Sequence, residues 1–185
     1  VLASIEAALG TPTPAEARAD PAVAAFFETA LRTWPVPECT PALYVAREVL
    51  VLPAYGAHYA GHADHLDALC AALARCSVPG EKTAPCLLAM AAATNLFACA
   101  ALGARLRASP HALQTLLFAT ALQNAQSTTP AVGEMAAALA YNFTLAPLAA
   151  TDAQLGTLVR SLAAALLRDH GAAGDAELER RGLLA

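Results

Sequence analysis

The chain has few charged side chains. Asp, Glu, Lys and Arg make up 14% of its 185 residues, whereas an ordinary globular domain contains about 25%. Lys and Arg are the scarcer group, 11 residues against 15 Asp and Glu, and they form no basic stripe. A surface that binds nucleic acid needs such a stripe to displace the counterions of the phosphates. The composition therefore predicts no nucleic-acid partner, and it predicts helices that are buried on several sides.

The chain also lacks a paired cysteine framework. Its five cysteines leave one unpaired in any complete disulfide scheme, and no CxxC pair is matched by a second one. Such a pattern is typical of buried thiols in a reducing compartment. The N-terminus lacks the basic and apolar segments of a secretory signal. We therefore expect free cysteines and a cytoplasmic protein, with the nucleus as a second location.

Motifs for catalysis are missing as well. The sequence contains no Gly-rich phosphate loop, no paired-carboxylate motif and no cysteine with a recognisable nucleophile signature. Most cysteines lie in apolar runs, where burial raises the pKa of a thiol. The sequence thus predicts a protein that is not an enzyme and that needs no cofactor or small-molecule substrate.

Three histidines come closest to a metal motif. His58, His62 and His65 have the i, i+4, i+7 spacing that places side chains on one helix face, as a zinc site requires. Gly56 and Gly61 interrupt this segment, however, and His65 falls at the start of the next predicted helix. We therefore expect a solvated turn between helices here and no metal ion.

One uncharged stretch has nearly the length of a membrane span. No charged residue occurs between Lys82 and Arg105, and a span needs about 20 apolar residues. The stretch contains Thr94, Asn95 and many alanines, and it starts with a helix cap at Thr83. We therefore expect a central buried helix and no membrane association.

Helix signals, in contrast, are frequent, and strand signals are absent. No alternating β-branched run and no Asn-Gly hairpin is found. A Ser, Thr or Asp cap, often followed by Pro, precedes one Ala/Leu-rich run after another. These predicted starts are Asp20, Thr40, Asp64, Thr83, Ser109, Thr129, Thr151 and Asp175. Predicted stops are Pro53, Gly103, Pro147 and Gly171.

The starts recur with one period. Every second start gives intervals of 44, 45 and 42 residues, and the other series gives 43, 46 and 46. Two interleaved series with a shared period indicate a repeated helix pair, and about 40 to 47 residues is the period of HEAT and armadillo arrays. We therefore predict an all-α, armadillo/HEAT-like superhelix of stacked helix pairs. Because Ala185 falls about ten residues into the last predicted helix, we expect the final repeat to be incomplete.

An asparagine recurs at one phase of this repeat. Asn95 lies 12 residues after Thr83, and Asn142 lies 13 residues after Thr129, each among apolar residues. An amide offers a donor and an acceptor together, which matches the backbone of an extended peptide whatever its side chains. One hypothesis is therefore that both project into a peptide-binding groove. The alternative is that each caps a helix end or satisfies a buried backbone group.

Several segments, taken in order, resemble the PUL domain of phospholipase-activating protein and related ubiquitin-pathway proteins. The resemblance runs from about Phe26 to Ala185. It comprises Leu31-Arg32-Thr33-Trp34-Pro35, Pro41 to Arg47, Leu87 to Met90, Asn95-Leu96-Phe97, Ala136 to Leu145 and Glu177 to Ala185. The resemblance implies an armadillo-like domain over residues 20–185, truncated at its C-terminus, after an N-terminal helix and linker over residues 1–19.

The resemblance also implies a partner and a binding site. PUL domains bind the C-terminal tail of the hexameric segregase ATPase, valosin-containing protein, in a basic groove. Arg47 and Arg181 match arginines of the family and join Asn95 and Asn142 as expected groove residues. Two positions depart from the family: Tyr44 replaces the usual Asp, and Ala91 stands where an Arg is common.

The expected function is therefore that of a protein-binding adaptor in ubiquitin-dependent pathways, whose concave groove binds an extended peptide. The alternative is a structural scaffold in a larger protein or assembly. PUL domains also occur fused to thioredoxin-like or desumoylating peptidase domains, which would lie outside these 185 residues.

Overall fold

A computed structural model describes residues 19–78, 83–125, 127–145, 150–160 and 163 of the chain. Over these residues every regular element is a helix, and no strand occurs. The prediction of an all-α fold is confirmed. The predicted N-terminal helix in residues 1–19 falls almost wholly outside the described residues, as do Pro147, Gly171, Asp175, Arg181 and the end of the final repeat.

Eight α-helices, two single 3-10 turns and one π-helical segment carry most of the described chain. In order they are α1 (Pro21–Thr33), a 3-10 turn (Val36–Glu38), α2 (Thr40–Val49), α3 (Pro53–Gly61), α4 (Ala63–Cys76), α5 (Thr83–Asn95), a 3-10 turn (Leu96–Ala98), α6 (Ala100–Ala108), α7 (Pro110–Ala112), the π-helical segment (Leu113–Leu122) that continues α7, and α8 (Pro130–Thr144). A further helix covers residues 152–160.

The helices pack in three rows. In the first row, α1 contacts α4, and α4 contacts the π-helical segment. In the second row, α2 contacts α5, and α5 contacts α8. In the third row, the short helices α3 and α6 contact each other. Each helix therefore packs against the helix that follows it one period later in the sequence.

Side-chain hydrogen bonds join successive members of every row. In the first row, Arg75 Nε donates to the carbonyl of Leu31, 44 residues earlier. In the second, Asn95 Nδ2 donates to the carbonyl of Arg47, 48 residues earlier. In the third, Arg105 Nη1 donates to the carbonyl of Ala60, 45 residues earlier. Each of these three hydrogen bonds joins residues about one sequence period apart, and we call them the row bonds.

A large apolar core runs between the rows, a smaller cluster lies beside it, and α5 contributes buried residues to both. The buried side chains of α5 are small or slender: Pro85, Cys86, Ala89, Met90, Ala92 and Ala93. Because alanine projects only a methyl group, α2, α4 and α8 can all pack closely against this helix. The uncharged stretch after Lys82 thus forms a central buried helix, as predicted.

The predicted helix starts agree with the structure to within about two residues. Asp20 accepts from the amide of Ala22 at 2.8 Å, and Ser109 accepts from the amide of Ala112 at 3.1 Å. Thr151 and Gln154 form the expected reciprocal capping box, with bonds of 2.9 and 3.3 Å. Asp64 is displaced, because α4 begins at Ala63 after His62.

One predicted stop is correct and one is wrong. Pro53 follows the end of α2 at Val49, as predicted, but it also begins an unpredicted helix, α3, where its missing N–H costs nothing. Gly103 lies buried inside α6 and ends no helix. The structure thus adds a short third helix between the second predicted helix of one period and the first predicted helix of the next. Gly56 and Gly61 likewise lie within α3 and do not interrupt it.

The π-helical segment has no counterpart in the sequence analysis. It spans ten residues, and Thr120 Oγ1 donates to the carbonyl of Thr115 at 2.8 Å. Its side chains are apolar on most sides, and six of the ten residues are buried. Hydrophobic periodicity cannot identify its wider turn, because an almost uniformly apolar segment has no polar face from which to read a period.

Within the described residues, no single helix is both long and apolar enough to cross a bilayer. Residues Thr83–Ala98 and Ala100–Ala108 meet the criteria of length and composition only as a pair, and this pair is bent by 111°.

Candidate functional site

The second row carries a partly exposed surface between α2, α5 and α8. Because α5 is packed on several sides, only one stripe of this helix is half exposed: Leu87, Leu88, Ala91, Thr94 and Asn95. These residues recur at helical spacing and end at the asparagine that the sequence analysis selected. The partly exposed face of α5 is therefore the surface on which Asn95 lies.

A groove of about 480 Å³ follows this stripe between α2, α5 and α8. Its volume falls within the range of ordinary ligand-binding clefts, about 300 to 1,000 Å³. It is lined by Arg47, Leu87, Leu88, Ala91, Ala131, Glu134, Met135 and Ala138. We call it the second-row groove. Its floor is apolar, and one cation and one anion stand at its walls.

Arg47 is held at the α2 wall by its neighbours. Its Nε donates to Glu48 Oε1 at 3.0 Å, and its guanidinium lies 4.8 Å from the centre of the Tyr44 ring. The hydrogen bond to Glu48 raises the pKa of Arg47, against a smaller opposing effect of burial. Arg47 therefore lines the groove as the resemblance implies, with much of its charge already balanced by Glu48.

Asn95 ends α5 and is partly engaged. Its Nδ2 donates to the carbonyl of Arg47 at 2.7 Å. Asn95 therefore satisfies a backbone carbonyl, which is the alternative role that the sequence left open. The same bond joins Asn95 to the residue that lines the groove wall, so two of the four selected residues are in direct contact.

Asn142 occupies the same position in the next helix of the row. It is the thirteenth residue of α8, as Asn95 is of α5, and it continues the line of Ala131, Met135 and Ala138. Its side chain makes no hydrogen bond to another described residue, although its backbone carbonyl accepts from Arg107 Nη1 at 3.2 Å. The amide of Asn142 thus differs from that of Asn95 in having no described partner.

The fourth selected residue, Arg181, lies outside the described residues. Ala91, which stands where the family commonly has Arg, is on the floor of the groove. The central floor is therefore uncharged. The expectation of a basic groove has only Arg47 to support it among the described residues of this lining.

Sequence reasoning missed several residues of the groove. Glu134 and Met135 face it from α8, and Tyr44 and Tyr141 are exposed on the same two outer helices, at 55% and 62%. The spacing of Ala131, Met135, Ala138 and Asn142 in sequence could have identified the α8 wall. The Leu87, Ala91 and Asn95 series could have identified the floor in the same way.

The structure brings the three histidines into contact with one another. Ring centroids lie 4.7 Å apart for His58 and His62, 5.5 Å for His58 and His65, and 5.6 Å for His62 and His65. The predicted turn is shorter than expected: His62 is exposed between the helices and His65 lies in the first turn of α4, as predicted, but His58 lies within α3. Among the described residues, no group of His, Cys, Asp and Glu is arranged to hold a metal ion.

The cysteines behave as the sequence predicts, and all five are free. Burial raises the pKa of Cys70, Cys76 and Cys86. Cys86 Sγ also donates to the carbonyl of Ser77 at 3.2 Å. These thiols therefore stay protonated near neutral pH and make poor nucleophiles.

Comparison with known proteins identifies no relative: no family model, no curated protein and no solved structure matches the chain. The resemblance to PUL domains therefore depends on the sequence motifs alone.

Proposed function

We propose that the chain is an armadillo-like repeat domain that acts as a protein-binding adaptor and holds an extended peptide in the second-row groove. The three rows of helices and the row bonds at 44, 45 and 48 residues support the repeat architecture. A stack of this kind presents one equivalent helix from each repeat along a continuous face. In this chain that face would comprise α2, α5 and α8.

The single observation that carries the proposal is the groove itself. It lies along the row that holds Arg47, Asn95 and Asn142, and its floor is apolar and half exposed. Apolar clefts with a few polar groups at their edges are the usual form of a binding site. An extended chain suits a site that spans three parallel helices, because its side chains can alternate between the floor and the solvent.

Asn142 is the residue best suited to hold the peptide backbone. Its amide has no described partner, so it can donate and accept without first breaking a bond. Asn95 has one N–H committed to the carbonyl of Arg47 and contributes chiefly by fixing the floor against α2. We therefore assign direct peptide contact to Asn142 and a positioning role to Asn95.

The partner that the resemblance suggests is the C-terminal tail of the segregase ATPase valosin-containing protein. On the groove walls, the charge of Arg47 is largely offset by Glu48, and Glu134 is negative. Long-range attraction of an acidic tail by these described side chains is therefore weak. Binding would depend on apolar contacts and on backbone hydrogen bonds, and we expect it to change little with salt.

Fluorescence anisotropy with a labelled synthetic tail peptide tests the partner, and a groove-filling variant tests the site. Ala138→Trp adds a large ring at an exposed position of the lining. Ala104→Trp makes the same change at an exposed position of α6, away from the groove, and serves as the matched control. Circular dichroism checks that both variants keep their helices.

We expect binding by the unmodified chain and by Ala104→Trp, and a loss of at least about tenfold in affinity for Ala138→Trp, which corresponds to about 1.4 kcal/mol. Equal loss in both variants would contradict a site in the groove. No binding of the tail at tens of micromolar would reject this partner. A selection from a library of random peptides would then ask whether Ala138→Trp still blocks capture.

A further inference from the structure

The contact between His58, His62 and His65 has no part in the proposed binding function. It joins three elements: His58 and His62 come from α3 and its C-terminal end, His65 comes from α4, and Glu28 comes from α1. His65 Nδ1 lies 2.8 Å from Glu28 Oε1. His62 Nδ1 lies 2.8 Å from the carbonyl of His58. One nitrogen of each of these two rings is therefore occupied.

His58 differs from the other two histidines. Its Nε2 is buried and has no hydrogen-bond partner, and its ring packs edge-on against Tyr59 at 5.1 Å. An imidazole nitrogen that lacks both water and a partner is costly to charge. The other two rings stand within 5.5 Å of it. The geometry therefore favours a neutral His58 as long as the three elements stay together.

We propose that His58, His62 and His65 form a proton-sensitive clasp that holds α3 against α4 while the rings are neutral and loosens α3 once His58 is charged. His65 has a carboxylate partner in Glu28, whereas the buried Nε2 of His58 has no described partner. A charge on the His58 ring would lie 4.7 and 5.5 Å from the centres of the His62 and His65 rings, and neither water nor a described carboxylate would contact the buried nitrogen to stabilise it. We refer to the three rings with Glu28 as the histidine clasp.

The groups around the clasp do not cancel this effect. Burial lowers the pKa of His58. The neighbouring rings of His62 and His65 lower this pKa further, and Glu28 opposes them with a smaller effect. The other charged groups on the neighbouring elements are Asp64, Asp67 and Arg75 of α4, Arg32 of α1, and Arg105 and Arg107 of α6. Arg105 is positive and donates to Ala60 at the end of α3, so it adds to the repulsion of a charged clasp.

The sign of the pH dependence follows from linkage. In the unfolded chain His58 takes up a proton near pH 6.5, whereas in the folded chain burial and its neighbours lower that pKa. The unfolded state therefore binds more protons as the pH falls, so stability is full above pH 6.5. It declines below that value until the folded pKa is passed.

Thermal unfolding of the full chain at pH 7.5 and 5.5 tests the clasp. We compare the unmodified chain with His58→Gln, which cannot titrate, and with His111→Gln, which makes the same change at an exposed position of α7. We expect the unmodified chain and His111→Gln to lose about 3 °C more between the two pH values than His58→Gln does, because only these two proteins keep the ring whose protonation opposes folding.

An equal decline in all three proteins would overturn the proposal. If His58→Gln does not fold, the titration of the His58 ring in the NMR spectrum of the unmodified chain replaces the comparison. A midpoint below about 6.5 supports the clasp, and a midpoint at or above it rejects it. Hydrogen exchange, corrected for the intrinsic effect of pH, must show that protection at pH 5.5 falls in α3 before it falls in α5.

A chelator serves as the last control, because imidazoles also bind divalent metals. The pH dependence must be the same with and without EDTA. A dependence that disappears in EDTA would assign the effect to a bound metal ion and overturn the proposal.

Discussion

Residues 53–95 and 100–142 have the same order of helices, but equivalent positions in the two segments make different contacts. Each segment starts with a short helix that has a glycine at its fourth position, and each ends with a groove helix whose thirteenth residue is asparagine. In the first segment, a Cβ at Gly56 would meet Cys99, the residue just before the second segment, and Asn95 bonds to α2. In the second segment, the nearest neighbours of a Cβ at Gly103 would be the side chains of Phe97 and Arg107, and the Asn142 side chain has no described partner. What packs against a repeat position therefore decides what its side chain does.

The two glycines should show the largest difference. A Cβ at Gly56 would lie 2.4 Å from Cys99 Cβ, whereas a Cβ at Gly103 would lie 3.3 Å from Cδ1 of the Phe97 ring. We expect Gly56→Ala to cost about 3 kcal/mol of unfolding free energy through overpacking. Gly103→Ala should stay within about 1 kcal/mol, because the ring can shift and alanine favours the helix. Urea denaturation measures both, and equal costs would contradict the close approach of α3 and α6.

The C-terminal ends of α4 and of the π-helical segment, which are neighbours in the first row, provide the second contrast. Asn124 is buried after the π-helical segment and donates to the carbonyls of Ser77 and Thr120, at 3.1 and 2.9 Å. Ser77, one period earlier, donates only within its own helix, to Leu73. We expect Asn124→Ala to cost about 2 kcal/mol, because it leaves a buried carbonyl at Ser77 without this donor.

Ser77→Ala is the matched variant, since it removes an equally buried polar side chain and keeps the link between the helices. Its cost should stay below about 1 kcal/mol. A cost as large as that of Asn124→Ala would mean that burial alone, and not the bond across the period, determines the penalty.

The two asparagines should give the smallest change in stability and the clearest separation of roles. Asn95→Ala removes a row bond and should cost about 1 kcal/mol. Asn142→Ala removes no bond to a described residue and should stay within about 0.5 kcal/mol. In the peptide-binding assay we expect the larger loss of affinity from Asn142→Ala. The reverse order in either measurement would contradict the roles proposed for the two residues.

The period of the fold was readable from sequence because helix caps are local. Asp20, Ser109 and Thr151 act on backbone groups two or three residues away, so their function depends on no distant part of the chain. The third helix of each period was missed because a proline such as Pro53 can mark the end of one helix or the start of the next, and a glycine such as Gly103 can mark an end or an interior position. Only tertiary packing decides between these alternatives. At Gly56, that deciding contact is Cys99, which is 43 residues away in sequence.

The candidate site was predictable in part for a similar reason. Periodicity selected Asn95 and Asn142, and the resemblance selected Arg47, all on the row that carries the groove. Spacing could not reveal that the two asparagines differ, since the bond of Asn95 to Arg47 depends on how α2 meets α5. The histidine clasp was missed because a segment with two glycines was taken for a turn, although it folds as helix.

The row bonds give the array a direction. In each of them the donor belongs to the later segment and the acceptor is a carbonyl near the end of an earlier helix. Among the groups of the row bonds, removing segments from the C-terminal side would expose only carbonyls, which water can satisfy, whereas removing the first segment would strand the amide of Asn95 and the guanidinium of Arg75. A chain that emerges N-terminus first during synthesis would therefore find its docking acceptors already in place for every new segment.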